Sequence, residues 1–288
     1  MRDGDTDSAL QLLLESEETL TRYSSFYEPF ARTFAGTLLY DRGDIETGIA
    51  RLVEIRREVV DQGMNLYIAL TSATLVRVYG SLQIGASVPE WRSSALEAVQ
   101  APLGNYLAST VWADLGYANL AIGEIAAAEE DFASGMAAAS ATQYWERPRL
   151  LIGSALVAIE LDQDDKAHRL LDEAQAFLLE KEIRLFDGAL GHARGKLLLS
   201  EDRHIEASEQ LGDAFDTAMA TGLRPLAVRI AVTAAGAAIA AGDSGSAHDR
   251  EDTARSLVDE IAGAISDGDL RTAVETVWLA PLDQLKAG

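Results

Sequence analysis

Three residues with metal-binding side chains occur at helical spacing in the middle of the chain. Asp164, His168 and Asp172 stand four residues apart, so on a helix they share one face. Carboxylates and imidazoles bind divalent cations, but one straight helix cannot surround a metal ion. The same residues fit a solvated polar face with an acid near the positive end of the helix dipole. The sequence therefore predicts no metal site.

Groups that could act in catalysis lack their usual sequence partners. The chain has no cysteine, and its acidic clusters at 129–131 and 162–165 fall at turns or early in helices. Carboxylates there meet water, whereas acid–base catalysis needs a pocket that shields one of them. The phosphate-binding patterns G-x-x-x-x-G-K-[ST] and G-x-G-x-x-G do not occur, nor does the G-x-S-x-G elbow. We expect no catalytic residues, no cofactor and no enzymatic activity.

The charge balance restricts the partners. The chain carries 46 acidic and 24 basic residues, a net charge of −22. Such a surface repels phosphate backbones, which argues against a nucleic-acid partner. No run of about 18 apolar residues occurs, and the first residues lack the basic-then-apolar order of a signal peptide. The sequence therefore predicts a cytoplasmic protein without a membrane partner.

The chain reads as helices in pairs with a period of about 40 residues. Polar turns centre near residues 43, 84, 123, 163, 202 and 242, and all but the second are followed by a small residue early in the next helix. A second small residue stands twelve positions before the first. One small residue on each helix allows the pair to cross closely. The two sets are Gly48, Ala128, Ala167, Ala207 and Ala247, and Gly36, Gly116, Ala155, Gly195 and Ala235.

We therefore predict an all-α fold, a right-handed superhelical solenoid of antiparallel helix pairs. One array is expected over 1–288, with an N-terminal helix at 8–23 and a C-terminal cap at 266–288 whose helix covers 269–277. The unit at 64–102 is irregular. It should hold a helix near 65–79, and a short helix to about Gln100 that a capping box at Ser87 opens.

One unit carries a specific motif. Trp112, Leu115 and Gly116, followed by Ala128 and Phe132, resemble the tetratricopeptide pattern W-x2-L-G-x2-Y…A-x3-F, with Asn in place of the usual Tyr at 119. The period and the segment 254–271 are also similar to the C-terminal tetratricopeptide-like arms of bacterial regulators. Those arms follow adenylate-cyclase-type domains or the ATPase modules of LuxR-type regulators. The resemblance implies that the chain binds effectors or partner proteins and transmits regulation.

The resemblance also indicates which residues face a ligand. In a tetratricopeptide solenoid the first helices line a concave groove, and positions 2, 5 and 9 usually face it when the small residue is position 8. Acids concentrate on the second helices, so these positions predict a locally basic channel for an acidic peptide or a free C-terminus. The side chains could instead pair with nearby acids or extend to water. The predicted groove residues are Arg149, His192, Lys196, Arg229 and Tyr117.

The leading functional expectation is a non-catalytic interaction or regulatory module that binds a peptide or partner protein in this groove. The alternative is a small-molecule effector sensor, the arm of a bacterial signalling or transcription regulator. A closed apolar pocket would favour the sensor and an open groove the peptide. Self-association through terminal repeats, giving a homo-oligomer, is a further expectation. Aromatic residues suited to an effector are Tyr106, Tyr117, Tyr144 and Trp145.

Overall fold

The protein is all-α in the part that the structure describes. A computed structural model describes residues 4–86, 88–102, 104–139 and 145–287, without the side chains of 104, 105, 286 and 287. Over these residues it contains fourteen α-helices, one 3-10 turn and no strand, which confirms the predicted fold class. The chain divides into two compact units. The N-terminal unit comprises Asp7–Tyr40 and Asp44–Gly153, and the C-terminal unit comprises Met1–Thr6, Asp41–Gly43 and Ser154–Gly288.

The helices follow one another with short connections. The first eight are α1 (Thr6–Arg22), α2 (Glu28–Arg42), α3 (Ile45–Asp61), α4 (Asn65–Ser81), α5 (Val88–Gln100), α6 (Ala108–Ala121), α7 (Ile125–Ala138) and α8 (Arg147–Glu160). The last six are α9 (Asp164–Lys181), α10 (Asp187–Ser200), α11 (His204–Ala220), α12 (Arg224–Ala240), α13 (Ser244–Gly263) and α14 (Gly268–Ala287). Within the described residues, no helix combines the length and apolar character that crossing a bilayer requires.

Within each unit, consecutive helices pack on each other, and several first helices also contact the first helix of the next pair. In the N-terminal unit α4 packs on α5 and α6, and α6 packs on α7. In the C-terminal unit α10 packs on α9, α11 and α12, and α13 packs on α12 and α14. This is the pairing expected of a helical repeat. The continuous array over 1–288 and the right-handed superhelix stay predictions.

A single left-handed residue ends the first helix of every pair. Positive φ angles occur at Gly43, Gln83, Gly123, Asp162, Asp202 and Gly242, which places successive turns 39 or 40 residues apart. Three of the six are glycines, which adopt this conformation without steric cost. Gln83, with a φ of 51°, falls where the irregular unit was predicted. The turns therefore confirm the period, including the unit that the small residues did not mark.

The pairs cross closely at the predicted small residues. An added Cβ at Gly48 would lie 2.8 Å from the carbonyl oxygen of Gly36, and one at Gly116 would lie 2.7 Å from Cε1 of Phe132. Phe132 lies on α7, the helix that carries Ala128, so the expected meeting of these two helices is confirmed. In four of the five second helices with a predicted small residue, a large side chain that is at most 1% exposed stands four residues after it. These side chains are Leu52, Phe132, Leu171 and Leu211.

Two helix ends differ from their predictions. The N-terminal helix begins at Thr6 rather than at residue 8. The last helix continues to Ala287, ten residues past its expected end, and contains Pro281. Proline removes one backbone hydrogen bond from a helix, but Trp278 and Leu282 are 8% and 2% exposed, so burial of this face favours continuation. In the irregular unit α5 ends at Gln100 as predicted, while Ser87 lies outside the described residues.

Candidate functional site

Two polar clusters lie on first helices, one in each unit. The basic cluster is made of His192 and Lys196 on α10 and Arg229 and Thr233 on α12. The ionic cluster is made of Arg77 on α4, Asp114 on α6, Glu146 directly before α8, and Arg149 in the first turn of α8. Three of the five predicted groove residues belong to the basic cluster and a fourth belongs to the ionic cluster.

The basic cluster is built on the face of α10 that α11 does not cover. Added Cβ atoms at Gly188, Gly191 and Gly195 would contact side chains of α11, so the glycines form the buried face. His192 and Lys196, one turn apart, lie on a different face, where both are half-buried. Close packing at these glycines holds α10 against α11, so the polar residues of α10 lie on another face.

One hydrogen bond joins the two helices of the basic cluster. His192 Nε2 lies 3.0 Å from Thr233 Oγ1 on α12. Thr233 and Arg229 are one turn apart, and the Thr233 hydroxyl donates to the Arg229 carbonyl over 2.9 Å. The contact between α10 and α12 therefore brings His192, Lys196 and Arg229 to one place.

The charge of this cluster is positive and its imidazole is neutral. Burial, together with the positive charges of Lys196 and Arg229, lowers the pKa of His192 to about 3. Lys196 Nζ forms an ion pair of 2.8 Å with Glu160 Oε1, and the two side chains are 33% and 41% exposed. Arg229 is exposed, and no side chain among the described residues forms a hydrogen bond or ion pair with its guanidinium.

In the ionic cluster the positive and negative charges are equal in number. Arg149 Nη2 lies 2.5 Å from Asp114 Oδ1, and its Nη1 lies 2.9 Å from Glu146 Oε2. Arg77 Nε lies 3.1 Å from the same Asp114 oxygen, and Thr74 donates to the other oxygen over 2.8 Å. Two carboxylates therefore neutralise two guanidinium groups, and both carboxylates are 3% exposed.

The two acids of the ionic cluster respond differently to the same surroundings. Burial opposes the ionisation of Asp114, but Arg149 and Arg77 outweigh it and hold its pKa below the ordinary value. Burial raises the pKa of Glu146, the Asp114 charge adds to this, and Arg149 compensates only in part. The negative charge of the cluster therefore resides most firmly on Asp114.

Tyr117, the fifth predicted groove residue, supports Arg149. Its hydroxyl donates to the Arg149 carbonyl over 2.8 Å, and the Arg149 guanidinium carbon lies 5.5 Å from the centre of its ring. The same ring meets Phe132 edge-on at 5.2 Å. Arg149 is thus committed to two carboxylates and an aromatic face. An anion site that includes Arg149 stays a prediction.

The residues at metal-ligand spacing each have another partner. His168 Nε2 lies 2.6 Å from Glu201 Oε1, and Asp172 accepts a hydrogen bond of 3.0 Å from Arg194. Asp164 accepts one of 3.0 Å from Ser200. In the described part of the chain, no three His, Asp or Glu residues come together in a group that could hold a metal ion.

The aromatic residues suggested for an effector do not form one pocket wall in the described residues. Tyr106 is 60% exposed, Trp145 is half-buried, and Tyr144 lies outside the described part. A depression open to solvent occurs beside α1 and α3. Its lining is Leu14, Glu17, Glu18, Thr21, Arg22 and Arg51, which is not the closed apolar pocket expected of a sensor.

Sequence reasoning missed Asp114, Glu146 and Thr233, although the repeat period contains a signal for two of them. Thr233 stands 41 residues after His192, and Thr74 stands 40 residues before Asp114. A separation of one period places two residues at equivalent points of neighbouring first helices. Polar residues one period apart on first helices are therefore candidates for direct hydrogen bonds.

Comparison with known proteins gives no assignment. No protein-family model matches the chain, and no curated protein matches it.

Proposed function

We propose that this protein is a non-catalytic interaction module of tetratricopeptide type, and that its basic cluster binds a carboxylate of an acidic peptide or partner protein. The observation that carries the proposal is the excess of positive charge on α10 and α12. Lys196 and Arg229 both act on His192, while among the described residues a single acid, Glu160, pairs with one of them. A carboxylate would supply the missing negative charge.

The chemistry of the three side chains suits a carboxylate. The Arg229 guanidinium is planar and can donate two parallel hydrogen bonds, and the Lys196 ammonium adds a mobile point charge. Arg229 is exposed and needs no rearrangement of an ion pair to meet a ligand. The net charge of −22 repels anions at long range, so recognition depends on short-range contacts. Binding should weaken with salt.

Fluorescence anisotropy with a labelled oligoglutamate peptide tests the proposal, with an oligoglutamine peptide as the uncharged control. We expect binding of the first and none of the second. Arg229→Glu should weaken binding roughly tenfold or more, because it replaces a charged donor by a repelling group. The helicity and the melting temperature should not change, since Arg229 is exposed.

Asp249→Arg on α13 provides a matched charge change away from the basic cluster. It makes the chain less negative without adding a group to α10 or α12. If it changes affinity as much as Arg229→Glu does, the binding reflects overall charge and the site assignment is wrong. Equal binding of both peptides would also contradict the proposal.

The ionic cluster favours a second candidate, an effector sensor. A charged small molecule could compete for Arg77 and Arg149 and so replace ion pairs that three helices now share. Thermal shift measurements with small dicarboxylates separate the two functions. Stabilisation that survives Arg229→Glu but disappears in Arg77→Met would support the sensor.

A further inference from the structure

The hydrogen bonds around Thr233 select one form of His192. A hydroxyl has one proton to donate, and that of Thr233 goes to the Arg229 carbonyl over 2.9 Å. Thr233 Oγ1 can then only accept from His192 Nε2, which lies 3.0 Å away. Both contacts are satisfied together only when Nε2 carries the imidazole proton. In the neutral ring, Nδ1 is therefore unprotonated.

Nδ1 is the nitrogen that a ligand can reach. It is not among the buried polar atoms that lack a partner, and the described residues place no hydrogen-bond partner on it. On the ring it lies on the side away from Nε2 and Thr233, and His192 as a whole is half-buried. A second proton on the ring would add a donor there, beside the donors of Lys196 and Arg229.

We propose that the basic cluster takes up a proton together with the carboxylate. When a carboxylate binds at Lys196 and Arg229, His192 accepts a proton from solvent at Nδ1 and donates it in a hydrogen bond to a carboxylate oxygen. Nε2 continues to donate to Thr233. This inference rests on the proposed function and adds its regulation: the acidic partner is held more tightly as the pH falls.

The charges around His192 explain why the proton enters only with the anion. The positive charges that face His192 are Lys196 on its own helix and Arg229 on α12. In the free protein burial is the largest cause of the lowered pKa, and these two charges add to it by opposing a third positive charge, so that the pKa of His192 falls to about 3. A bound carboxylate adds a negative charge beside the imidazole, which favours the protonated form. If the pKa returns to its ordinary value of about 6.5, His192 is protonated in the complex at mildly acidic pH.

The other elements that pack on α10 do not supply the missing charge. On α9, Asp172 is hydrogen-bonded to Arg194, which lies on another face of α10. His168, also on α9, contacts Glu201, which lies just beyond the end of α10. The contacts of α11 fall on the glycine face. From α8, Glu160 reaches Lys196 and not the imidazole. Among the described residues, no acid is hydrogen-bonded to the His192 imidazole, so a negative charge that favours its protonation has to come from the ligand.

Affinity for oligoglutamate at two pH values tests the inference in wild type and in His192→Gln. Glutamine can still donate to Thr233, but it cannot gain a proton. Wild type should bind about tenfold more tightly near pH 5.5 than near pH 8, which is the change expected for one proton with a bound pKa of about 6.5. In His192→Gln the affinity should change little between the two pH values, whatever its value near pH 8, because glutamine takes up no proton.

The outcomes separate the two proposals. Wild-type binding that is equal at both pH values, or an equal pH dependence in His192→Gln, overturns proton uptake at His192 and leaves the proposed function standing. Failure of wild type to bind at either pH overturns both. An independent readout is the His192 ring-proton signal in NMR. It should show no titration near neutral pH in the free protein and should titrate once the peptide is added.

Discussion

Both units pair a base with an acid about one period earlier on the preceding first helix, with opposite results. In the N-terminal unit Arg149 meets Asp114, 35 residues earlier, and in the C-terminal unit Lys196 meets Glu160, 36 residues earlier. The first acid is 3% exposed and faces two arginines, whereas the Glu160 side chain is 41% exposed and faces one lysine. The same repeat geometry thus produces a closed, neutral cluster in one unit and an incomplete, positive one in the other.

The difference separates structural charge from charge that can bind a ligand. Removing charges from water is costly, and the ionic cluster offsets that cost because each of its charges lies beside a counter-charge. Removing the charge of Asp114, which faces both arginines, should therefore damage the fold. In the basic cluster the members remain in contact with water, so changes there should alter ligand binding and leave the fold intact. Four substitutions test this division, in order of expected effect.

The largest effect is expected for Asp114→Asn. Asparagine preserves the shape of the side chain and its hydrogen bond with Thr74, but leaves Arg77 and Arg149 without their shared counter-charge. Breaking a buried pair in this way costs about 3–5 kcal/mol, which urea denaturation would measure as a lower free energy of unfolding.

The control is Asp172→Asn, whose ion pair with Arg194 is on the surface with the carboxylate 74% exposed. It should cost less than about 1 kcal/mol. Equal losses would mean that the ionic cluster is effectively solvated.

Gly116→Leu should have the next largest effect, because α6 carries Asp114 and must keep its distance from α7. The Phe132 ring lies against Gly116 and also against Gly153 on α8, so it cannot move aside. Overpacking should cost roughly 1–3 kcal/mol, or more where the ring is held this firmly. Gly195→Leu is the equivalent change in the C-terminal unit. It meets the flexible side chain of Leu211 and should cost less.

Gly263→Leu is the control for this pair, because nothing lies within 4 Å of a Cβ added at Gly263. It should change the free energy of unfolding by less than about 0.5 kcal/mol. If Gly116→Leu is equally mild, α6 and α7 do not cross as closely as the contact with Phe132 indicates.

The helix pairs and the turns could be predicted from the sequence because the same pattern of small residues and polar turns recurs in successive repeats. Small residues twelve positions apart indicated five crossings, and polar turns indicated where left-handed residues such as Asp162 and Asp202 lie. Gln83 carries no such signal, since glutamine is not a preferred left-handed residue. Only its distance of one period from Gly43 and Gly123 identifies it.

The two clusters could be predicted only in part. Basic residues of both clusters were predicted from positions 2, 5 and 9, because the resemblance to tetratricopeptide repeats implies which face of the first helix these positions occupy. Glu146 precedes α8 in a stretch without periodicity, so nothing in the sequence indicates that its carboxylate is buried against Arg149. Whether a base is neutralised depends on its neighbours across helices. That information lies in packing distances of a few ångströms, which a periodic pattern does not contain.

Glu146→Gln should have a small effect with a characteristic pH dependence. The raised pKa of Glu146 means that its ionised form lowers the stability of the fold. The contribution of this group is therefore fully present below its ordinary pKa of about 4.3 and is lost as the pH rises through the raised value. At neutral pH, Glu146→Gln should unfold with a free energy equal to wild type or higher, by no more than about 1 kcal/mol. This difference should close near pH 4.

A loss in Glu146→Gln comparable with that of Asp114→Asn would contradict this assignment. It would mean that Glu146 and Asp114 carry equal shares of the charge that neutralises Arg149. The two variants, measured across the same pH range, therefore decide which acid holds the cluster together.

The smallest effect on stability, and the most informative one on function, is expected for Glu160→Gln. The side chains of Glu160 and Lys196 are both about one third or more exposed, so their ion pair contributes at most about 1 kcal/mol to the fold. The same pair competes with any carboxylate that approaches Lys196. Removing it should strengthen oligoglutamate binding by roughly twofold to fivefold, the equivalent of an exposed pair of about 0.2–1 kcal/mol. Asp172→Asn also removes one negative charge from the C-terminal unit, beside Arg194 rather than Lys196, and should leave affinity nearly unchanged.

If both variants strengthen binding equally, long-range charge is responsible. If Glu160→Gln weakens binding, Glu160 positions Lys196 for the ligand, and the basic cluster is already as complete as its partner requires.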